Sequence, residues 1–464
     1  MTKKPSSITR HLSPIARNVS LYIFLGLLAY MPLHILLSTW IGSSFGVLDI
    51  AKVAKEGLLV FGFLVTLAIS VRKPWFRPLL RDRLLWAILA YAAITLLLAV
   101  FKPTDQDAEI LGIVYNTRYL LFLLYGVLLT HLFPEKRVKW MAIKTVLFTG
   151  IAVVIFGIFQ YFLLPNDALT HIGYTRENGV LPAFFIDDKP DLERVMSTIR
   201  DPNSLGSYLI IITSVVMAIL LSTKRLKTRH NLIAFYSFAL ACLWLTFSRS
   251  ALLGFALAML VFVALSEGVF HKILKGRQGT IIAVAAIALV TGAVSLFMLR
   301  DNYLVQNVVF HADEATVQES PNELRIRFWQ ESIVASFLEP EGSGPGTAGL
   351  ASIKNDKQGT VLNENYYLQI LTEVGVLGLV LFLLILAMVA IRLYEGRKSL
   401  FALALLASFM GLAFTNFLIH IWSNEAVAYT WWGLAGLTLA HYSPPLSPQR
   451  AKLMRIGWKV PRKD

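Results

Sequence analysis

The stretch VGVLGLVLFLLILAMVAI, residues 374–391, decides the fold class of this chain. It carries no charged side chain, and a helix needs about 20 mostly apolar residues to cross the hydrocarbon core of a bilayer. The stretch therefore predicts a transmembrane helix. The whole chain agrees, because 56% of its 464 residues are hydrophobic and 16% are charged, whereas soluble globular chains carry roughly 25% charged residues. The composition predicts a membrane protein.

Apolar stretches of similar length recur along the chain and predict about twelve transmembrane helices. We therefore expect an all-α polytopic membrane helical bundle. The predicted spans have the apolar centres Val19–Leu37, Gly57–Val71, Leu84–Phe101, Ile110–Phe133, Trp140–Leu164, Leu205–Leu221, Leu232–Phe247, Ala251–Leu265, Ile281–Leu299, Val374–Ile391, Leu400–Trp422 and Ala426–Ala440.

The positions of Lys and Arg predict the orientation, because positive charge near the ends of spans is retained in the cytoplasm. Most of the basic residues fall between spans that face inward if the N-terminus is cytoplasmic. We therefore expect both termini inside, in a cytoplasmic (inner) membrane. The predicted segments are a cytoplasmic tail at 1–18, spans one to nine at 19–299 with an external loop at 165–204, a large helical external loop at 300–373, spans ten to twelve at 374–440 and a basic cytoplasmic tail at 441–464.

The net charge of +14 has a membrane explanation. Basic residues spread over the inner loops are a topology signal, and their expected partner is the anionic lipid of the bilayer rather than nucleic acid. The chain has a single cysteine, Cys242, which excludes an internal disulfide. The sequence has no paired Cys/His cluster, so we predict no zinc site. We expect neither a cofactor nor a bound metal.

Charged residues inside or near a span are costly and need a reason. Arg118 interrupts the fourth predicted span, in YNTRYLLFLLYG. It fits a substrate contact or pairing with a neighbouring helix. Arg249 lies in the short external turn TFSRSALLG between spans seven and eight. Because so short a turn fixes its backbone at the outer surface, we expect its guanidinium to face a cavity beneath the large external loop.

Further polar residues gather in the two long external loops. The run ERVMSTIRDPNSLGSYL carries Arg194, Arg200 and Asn203 just before span six. Its Asp-Pro-Asn sequence predicts a turn followed by a helix start. That interpretation does not explain Arg194 and Arg200. The second loop contains RIRFW with Arg325, and GSGPGTAG at 342–349, which we interpret as a flexible turn rather than a phosphate-binding loop. Then comes LNENYYLQILTEVGVLGL with Glu364 and Asn365, where a carboxylate at a helix N-terminus is a sufficient structural explanation.

Taken in this order, these segments resemble the O-antigen ligase and O-antigen polymerase superfamily of bacterial polysaccharide assembly. The resemblance covers roughly Arg194 to Ile391. It implies a GT-C-type polytopic glycosyltransferase with its active site under the large external loop. The implied donor is a glycan on undecaprenyl diphosphate, and the implied acceptor is another glycan, a lipid A core or a protein. Functional positions of the family match Arg194, Asn203, Arg249, Arg325 and Asn365. Ligases of the family usually carry His before that Asn, whereas this chain has Glu364, which favours a polymerase.

The implied reaction is attack by a sugar hydroxyl on the anomeric carbon of the lipid-linked glycan. Arginines present charged forks suited to phosphate oxygens, so Arg194, Arg249 and Arg325 are predicted to neutralise the departing diphosphate without a metal. Arg249 and Glu364 are the predicted catalytic residues, and Glu364 is the predicted proton acceptor. Asn203, Asn365, Arg200 and Arg118 are predicted substrate contacts.

Two other functions fit the same sequence. A transporter of lipid-linked oligosaccharide or polysaccharide is also polytopic, although transporters usually show two related halves and midplane charges. A protein O-oligosaccharyltransferase would use the same machinery with another acceptor.

Overall fold

The computed structural model describes residues 7–186, 189–266, 321–357 and 359–439, with the backbone alone at 7–13, 189–191 and 321–325. The chain folds into helices joined by short loops. Its helices are α1 Ser7–Tyr30, α2 His34–Phe45, α3 Leu48–Ser70, α4 Phe76–Leu79, α5 Arg83–Phe101, α6 Gln106–Leu132, α7 Glu135–Leu163, α8 Pro202–Ser222, α9 Leu226–Leu245, α10 Arg249–Leu265, α11 Pro321–Leu338, α12 Tyr366–Glu395, α13 Leu400–Thr415 and α14 Glu425–Leu439.

The all-α polytopic prediction is confirmed. In the described residues, seven helical segments are long and apolar enough to cross a membrane, and the shorter α10 and α13 are also apolar. Eleven of the predicted spans fall on described helices, while the ninth, Ile281–Leu299, lies outside the described residues.

The eleventh prediction, Leu400–Trp422, was wrong at its end, because α13 stops at Thr415. The Asn416 side chain ends the helix. Its amide group donates to the carbonyl of Leu412 (2.8 Å) and its Oδ1 accepts from the backbone of Trp422 (3.2 Å). The residues that follow therefore form a loop and a short 3-10 turn, Ile421–Ser423.

The helices differ in how much of their surface the protein covers. Of the residues in the apolar stretch of α8, 78% are buried inside the protein, whereas in the apolar stretch of α3 the share is 28%. A helix that is apolar on all sides and covered on all sides lies in the centre of a bundle, so α8 is central and α3 is peripheral. The largest buried side chains, among them Trp431 and Trp432 of α14, place the core around α14 and its neighbours.

Small residues bring α10 and α13 into close contact. A Cβ on Gly254 would lie 2.5 Å from Thr415 Oγ1 and 2.9 Å from the carbonyl of Gly411. Such contacts let membrane helices approach closely. They fix the start of α10 beside the end of α13, and this arrangement positions the candidate site.

The loop between α7 and α8, which was predicted to be external, contains a structure that the sequence did not predict. Phe184–Ile186 (β1) pairs antiparallel with Lys189–Arg194 (β2), with Phe184 opposite Arg194. The hairpin directs the chain from the end of α7 to the start of α8. It therefore sets the position of Arg194 at its last residue.

The segment between α11 and α12 packs against α12. Gly375 has φ +77° and kinks α12, and a Cβ there would lie 2.6 Å from the carbonyl of Pro340. Only glycine suits both the left-handed backbone and the contact. The kink falls at the start of the predicted span, Val374, so the first turns of α12, which carry the polar residues, form a segment separate from the apolar part of the helix.

Candidate functional site

Arg194 is held at the end of β2 by two hydrogen bonds. Its Nε donates to the carbonyl of Thr246 at the end of α9 (3.0 Å), and its Nη2 donates to Oδ1 of Asn203 in the first turn of α8 (2.9 Å). A guanidinium has five N–H donors in a planar fork, so these bonds orient the group while using only part of its donor capacity. The structure thus brings two predicted residues, Arg194 and Asn203, into direct contact.

Arg249 begins α10 beside this pair. Ser248 caps the helix, with its Oγ accepting from the backbone of Ala251 (3.4 Å), and a Cβ on Gly206 of α8 would lie 2.5 Å from the Ala251 Cβ. The first turns of α8 and α10 are therefore in contact. The charge of Arg249 acts on Arg194, which places the two cations in one neighbourhood.

Charge and burial both affect Arg194. Burial lowers the pKa of its guanidinium, the carboxylate of Asp201 raises it and the positive charge of Arg249 lowers it. Arginine stays protonated in proteins. The two arginines therefore form a half-buried cationic centre, with Asp201 as a partial counter-charge.

Glu364 and Asn365 approach from the other side, at the start of α12. Asn365 caps α12, with its Oδ1 accepting from the backbones of Tyr367 (3.0 Å) and Leu368 (3.2 Å). The backbone N–H of Tyr366 donates to the carbonyl of Asn416 (2.9 Å). The start of α12 is therefore fixed to the end of α13.

The end of α13 is in turn fixed to the start of α10. Thr415 Oγ1 lies 3.5 Å from the carbonyl of Ser250, to which it donates. Since Ser250 follows Arg249 directly, the segments that carry Arg249 and Glu364 are both tied to residues 415–416. Three of the predicted motifs thus converge at neighbouring helix ends.

Three non-glycine residues in the described part of the chain have positive φ: Ser197 (54°), Phe247 (46°) and Glu364 (41°). Each lies within one of the converging motifs. Such backbone costs about 1–3 kcal/mol for a non-glycine residue and persists where the surroundings impose it, often at functional sites. The left-handed backbone at Glu364 breaks the chain direction just before α12.

Arg325 lies on α11, of which only the backbone is described at that position. The helix is anchored next to Glu364, because Trp329 Nε1 donates to the carbonyl of Asn363 (2.9 Å). Asn363 also donates to Ser332 Oγ (3.4 Å). The element carrying Arg325 therefore borders the cluster.

Arg200 is half-buried and donates to the carbonyl of Gly179 in the same external loop (3.4 Å). It also acts electrostatically on His420, together with Glu364 and Asp201. These residues therefore share one neighbourhood. His420 was missed by the sequence analysis because it fell inside the overlong eleventh span; Asn416, a polar residue near the end of an apolar stretch, was the signal that the helix ends earlier.

Arg118 is placed elsewhere, in a buried ion-pair network. The side chain is 3% exposed, and its Nη1 lies 3.1 Å from Glu56 Oε1 and 3.2 Å from Glu425 Oε1. Its Nη2 donates to the carbonyl of Ser423, and Lys55 Nζ lies 3.2 Å from Glu56 Oε2. This arrangement favours helix pairing over substrate binding for Arg118. Glu56 and Glu425, its partners, were not singled out from the sequence.

The glycine-rich loop is a turn, as expected, and it is largely buried. Its backbone N–H groups at Gly346 (2.9 Å) and Ala348 (3.4 Å) donate to Glu373 Oε1, while Asn116 donates to Glu373 Oε2 (2.7 Å). A carboxylate of the protein thus occupies the position that an anion would need. The loop fastens the external segment to α6 and α12.

The described residues contain no group of three or more His, Cys, Asp or Glu side chains that could hold a metal ion. The His420, Glu364 and Asp201 neighbourhood is therefore not a metal centre by its geometry. Metal independence stays a prediction to be tested with the full protein.

The fold and the cluster define an all-α polytopic membrane protein with cationic and acidic side chains gathered where several helices begin. Residues 232–383 match the O-antigen ligase family. The match confirms the predicted resemblance to the O-antigen ligase and O-antigen polymerase superfamily over this part of the chain. It contains Arg249, Arg325, Glu364 and Asn365. No curated protein matches the chain.

The family assigns a coarse function. The chain has a ligase- or polymerase-type function in polysaccharide assembly, with a lipid-linked glycan and an acceptor as partners. The motif with Arg194 and Asn203 lies outside the matched residues, so its connection to the matched part of the chain rests on the contacts described above.

Proposed function

We propose that this protein is a metal-independent glycosyltransferase that transfers or polymerises undecaprenyl-diphosphate-linked glycan repeats at the outer face of the cytoplasmic membrane. Its place is the assembly of a bacterial surface polysaccharide such as O-antigen or exopolysaccharide. The observation that carries the proposal is the convergence of Arg194, Arg249 and Glu364 at neighbouring helix ends, two of them within the residues that match the O-antigen ligase family.

The helix ends themselves suit an anionic leaving group. The N-terminus of a helix carries a partial positive charge and unpaired N–H groups, which favour phosphate. Three N-termini meet here, those of α8, α10 and α12, capped by Asp201, Ser248 and Asn365. With Arg194 and Arg249 they supply positive potential from several directions, where a diphosphate develops charge as it departs.

In the proposed reaction the acceptor hydroxyl attacks the anomeric carbon. The new glycosidic C–O bond forms, the bond between that carbon and the diphosphate oxygen breaks, and the electron pair leaves with the lipid diphosphate. Arg194 and Arg249, with Arg325 from α11, stabilise that anion. The hydroxyl proton is accepted by the Glu364 carboxylate, either directly or through a neighbouring residue. Asn203 orients Arg194, and Asn365 holds Glu364 at the start of α12.

Glu364 in place of the family's usual His supports a polymerase over a lipid A core ligase. The distribution of basic residues supports cytoplasmic termini and an external site. Together these features favour an acceptor that is itself a growing lipid-linked glycan.

The decisive experiment uses purified full-length protein in lipid vesicles with lipid-linked repeat units, and compares wild type with Arg249→Ala. Longer lipid-linked glycans from wild type alone support the proposal. Transfer only to lipid A core, or only to protein, would establish another acceptor. Donor that is moved across the bilayer unaltered would replace the proposal with transport.

A further inference from the structure

His420 lies in the loop between α13 and α14, outside the helices that span the membrane. Asn416 fixes the near end of this loop, since its Oδ1 accepts from the backbone of Trp422 (3.2 Å). The N–H of Ser423 donates to the carbonyl of His420 (3.2 Å) at the other end. The imidazole is therefore carried by a fixed backbone beside the start of α12.

One ring nitrogen of His420 has an unmet hydrogen-bonding capacity. The residue is half-buried, and its Nδ1 is buried without a hydrogen-bond partner among the described residues. Buried polar atoms without partners are uncommon and call for an explanation. In catalytic clusters such bonds are often long before substrate binds and tighten afterwards.

Three charged groups from the starts of two other helices act electrostatically on His420. Glu364, at the start of α12, has the largest electrostatic effect, followed by Asp201 at the start of α8 and Arg200 before it. Burial lowers the pKa of His420, the two carboxylates raise it and Arg200 lowers it. Neutral imidazole is the form that accepts a proton, and histidine titrates nearer to neutral pH than a carboxylate does.

We propose that His420 accepts the proton of the attacking sugar hydroxyl, and that Glu364 acts through it as a positioning residue. This inference rests on the proposed function. In the proposed arrangement the buried Nδ1 carries the ring hydrogen and Nε2 is the acceptor, while the negative charge of Glu364 stabilises the imidazolium that forms. The hydroxyl O–H bond breaks, the proton moves to Nε2, and the oxygen forms the bond to the anomeric carbon. The diphosphate then leaves with its electron pair towards the arginines.

The test measures single-turnover transfer of lipid-linked glycan from about pH 5 to pH 9, which brackets the titration of histidine. The variants are His420→Gln and Glu364→Gln. His171→Gln is the matched control, because His171 is an exposed histidine of the first external loop. Binding of donor to each variant is measured separately.

We expect His420→Gln to lower the rate on the order of 100-fold or more, which is the usual contribution of a general base. Donor binding should stay near the wild-type value, and the fall of the rate at acid pH should disappear. Glu364→Gln should keep that fall but move it to lower pH, because loss of the carboxylate lowers the pKa of His420. His171→Gln should behave as wild type.

His420→Gln with near-normal turnover and an unchanged acid limb would overturn the inference, as would a Glu364→Gln profile from which the acid limb is lost. If His420→Gln does not fold, the Glu364→Gln profile alone decides between these roles. If wild type transfers glycan and Arg249→Ala does not, the proposed glycosyltransferase function stands even when the role of His420 is overturned. If wild type gives no product, the proposed function itself fails.

Discussion

Replacing Asn203 with Ala should slow glycan transfer by roughly 10-fold to 100-fold. Asn203 Oδ1 accepts from Arg194 Nη2 at 2.9 Å, and a hydrogen bond to a charged group contributes about 1.5–3 kcal/mol. About 1.4 kcal/mol corresponds to a factor of ten in rate. The second bond of Arg194, to Thr246, remains, so the guanidinium should be misdirected rather than lost.

Asn203→Asp separates an electrostatic role of Arg194 from a structural one. A carboxylate at this position would strengthen the contact but neutralise the charge that the diphosphate needs. We therefore expect a greater loss of transfer than in Asn203→Ala, with stability equal to wild type or higher. The assay is single-turnover transfer beside thermal unfolding of the purified protein. Asn178→Ala is the control, since Asn178 bonds Gly173 within the same external loop (2.7 Å). Wild-type transfer by Asn203→Asp would refute the reasoning.

Three further predictions follow from the same contacts. Gly375→Ala should destabilise the protein by about 2–5 kcal/mol and lower its thermal midpoint, because alanine is strained at positive φ and its Cβ would clash with the neighbouring backbone. The control is Gly57→Ala, which has open space around it and should leave the thermal midpoint unchanged or raise it. Arg118→Met should cost about 3–5 kcal/mol, because it leaves two buried carboxylates, Glu56 and Glu425, with Lys55 as their one remaining cation among the described ion pairs. Unaltered stability with loss of transfer would instead indicate a substrate contact. EDTA should not affect wild-type transfer, whereas inhibition reversed by magnesium or manganese would contradict metal independence.

The apolar spans could be read from the sequence because the bilayer sets both their length and their polarity. Most predicted centres fall within helices of the structure. The error lies where a side chain ends a helix within an apolar stretch, as at Asn416. The start of α12 at Tyr366 agrees with the helix N-terminus expected at Glu364 and Asn365. The β1–β2 hairpin depends on pairing between short irregular segments, and local sequence carries little signal for that.

The residues of the candidate site were predictable to the extent that they lie in motifs. Arg194, Asn203, Arg249 and Glu364 were all named from the sequence, and the structure brings them to adjacent helix ends. His420 was not, since its neighbours in space come from α8 and α12, far along the chain. Arg118 shows a different limit of the sequence. An arginine within a span can contact a substrate or pair with another helix, and the sequence does not distinguish the two, whereas the structure contains the ion pairs.

The location of the cluster at helix starts follows from the physics of the bilayer. A charged side chain in the middle of a span must be paired, as Arg118 is, because hydrocarbon does not solvate it. A charged residue at a helix end, by contrast, keeps access to water and gains the potential of the helix. Arg249 occupies such a position at the start of α10, and close packing at Gly206 draws α8, whose first turn carries Asn203, against α10. Widening this contact, for example by Gly206→Leu, should therefore move Arg249 away from Asn203 and Arg194. Transfer should fall even though no charged residue is changed.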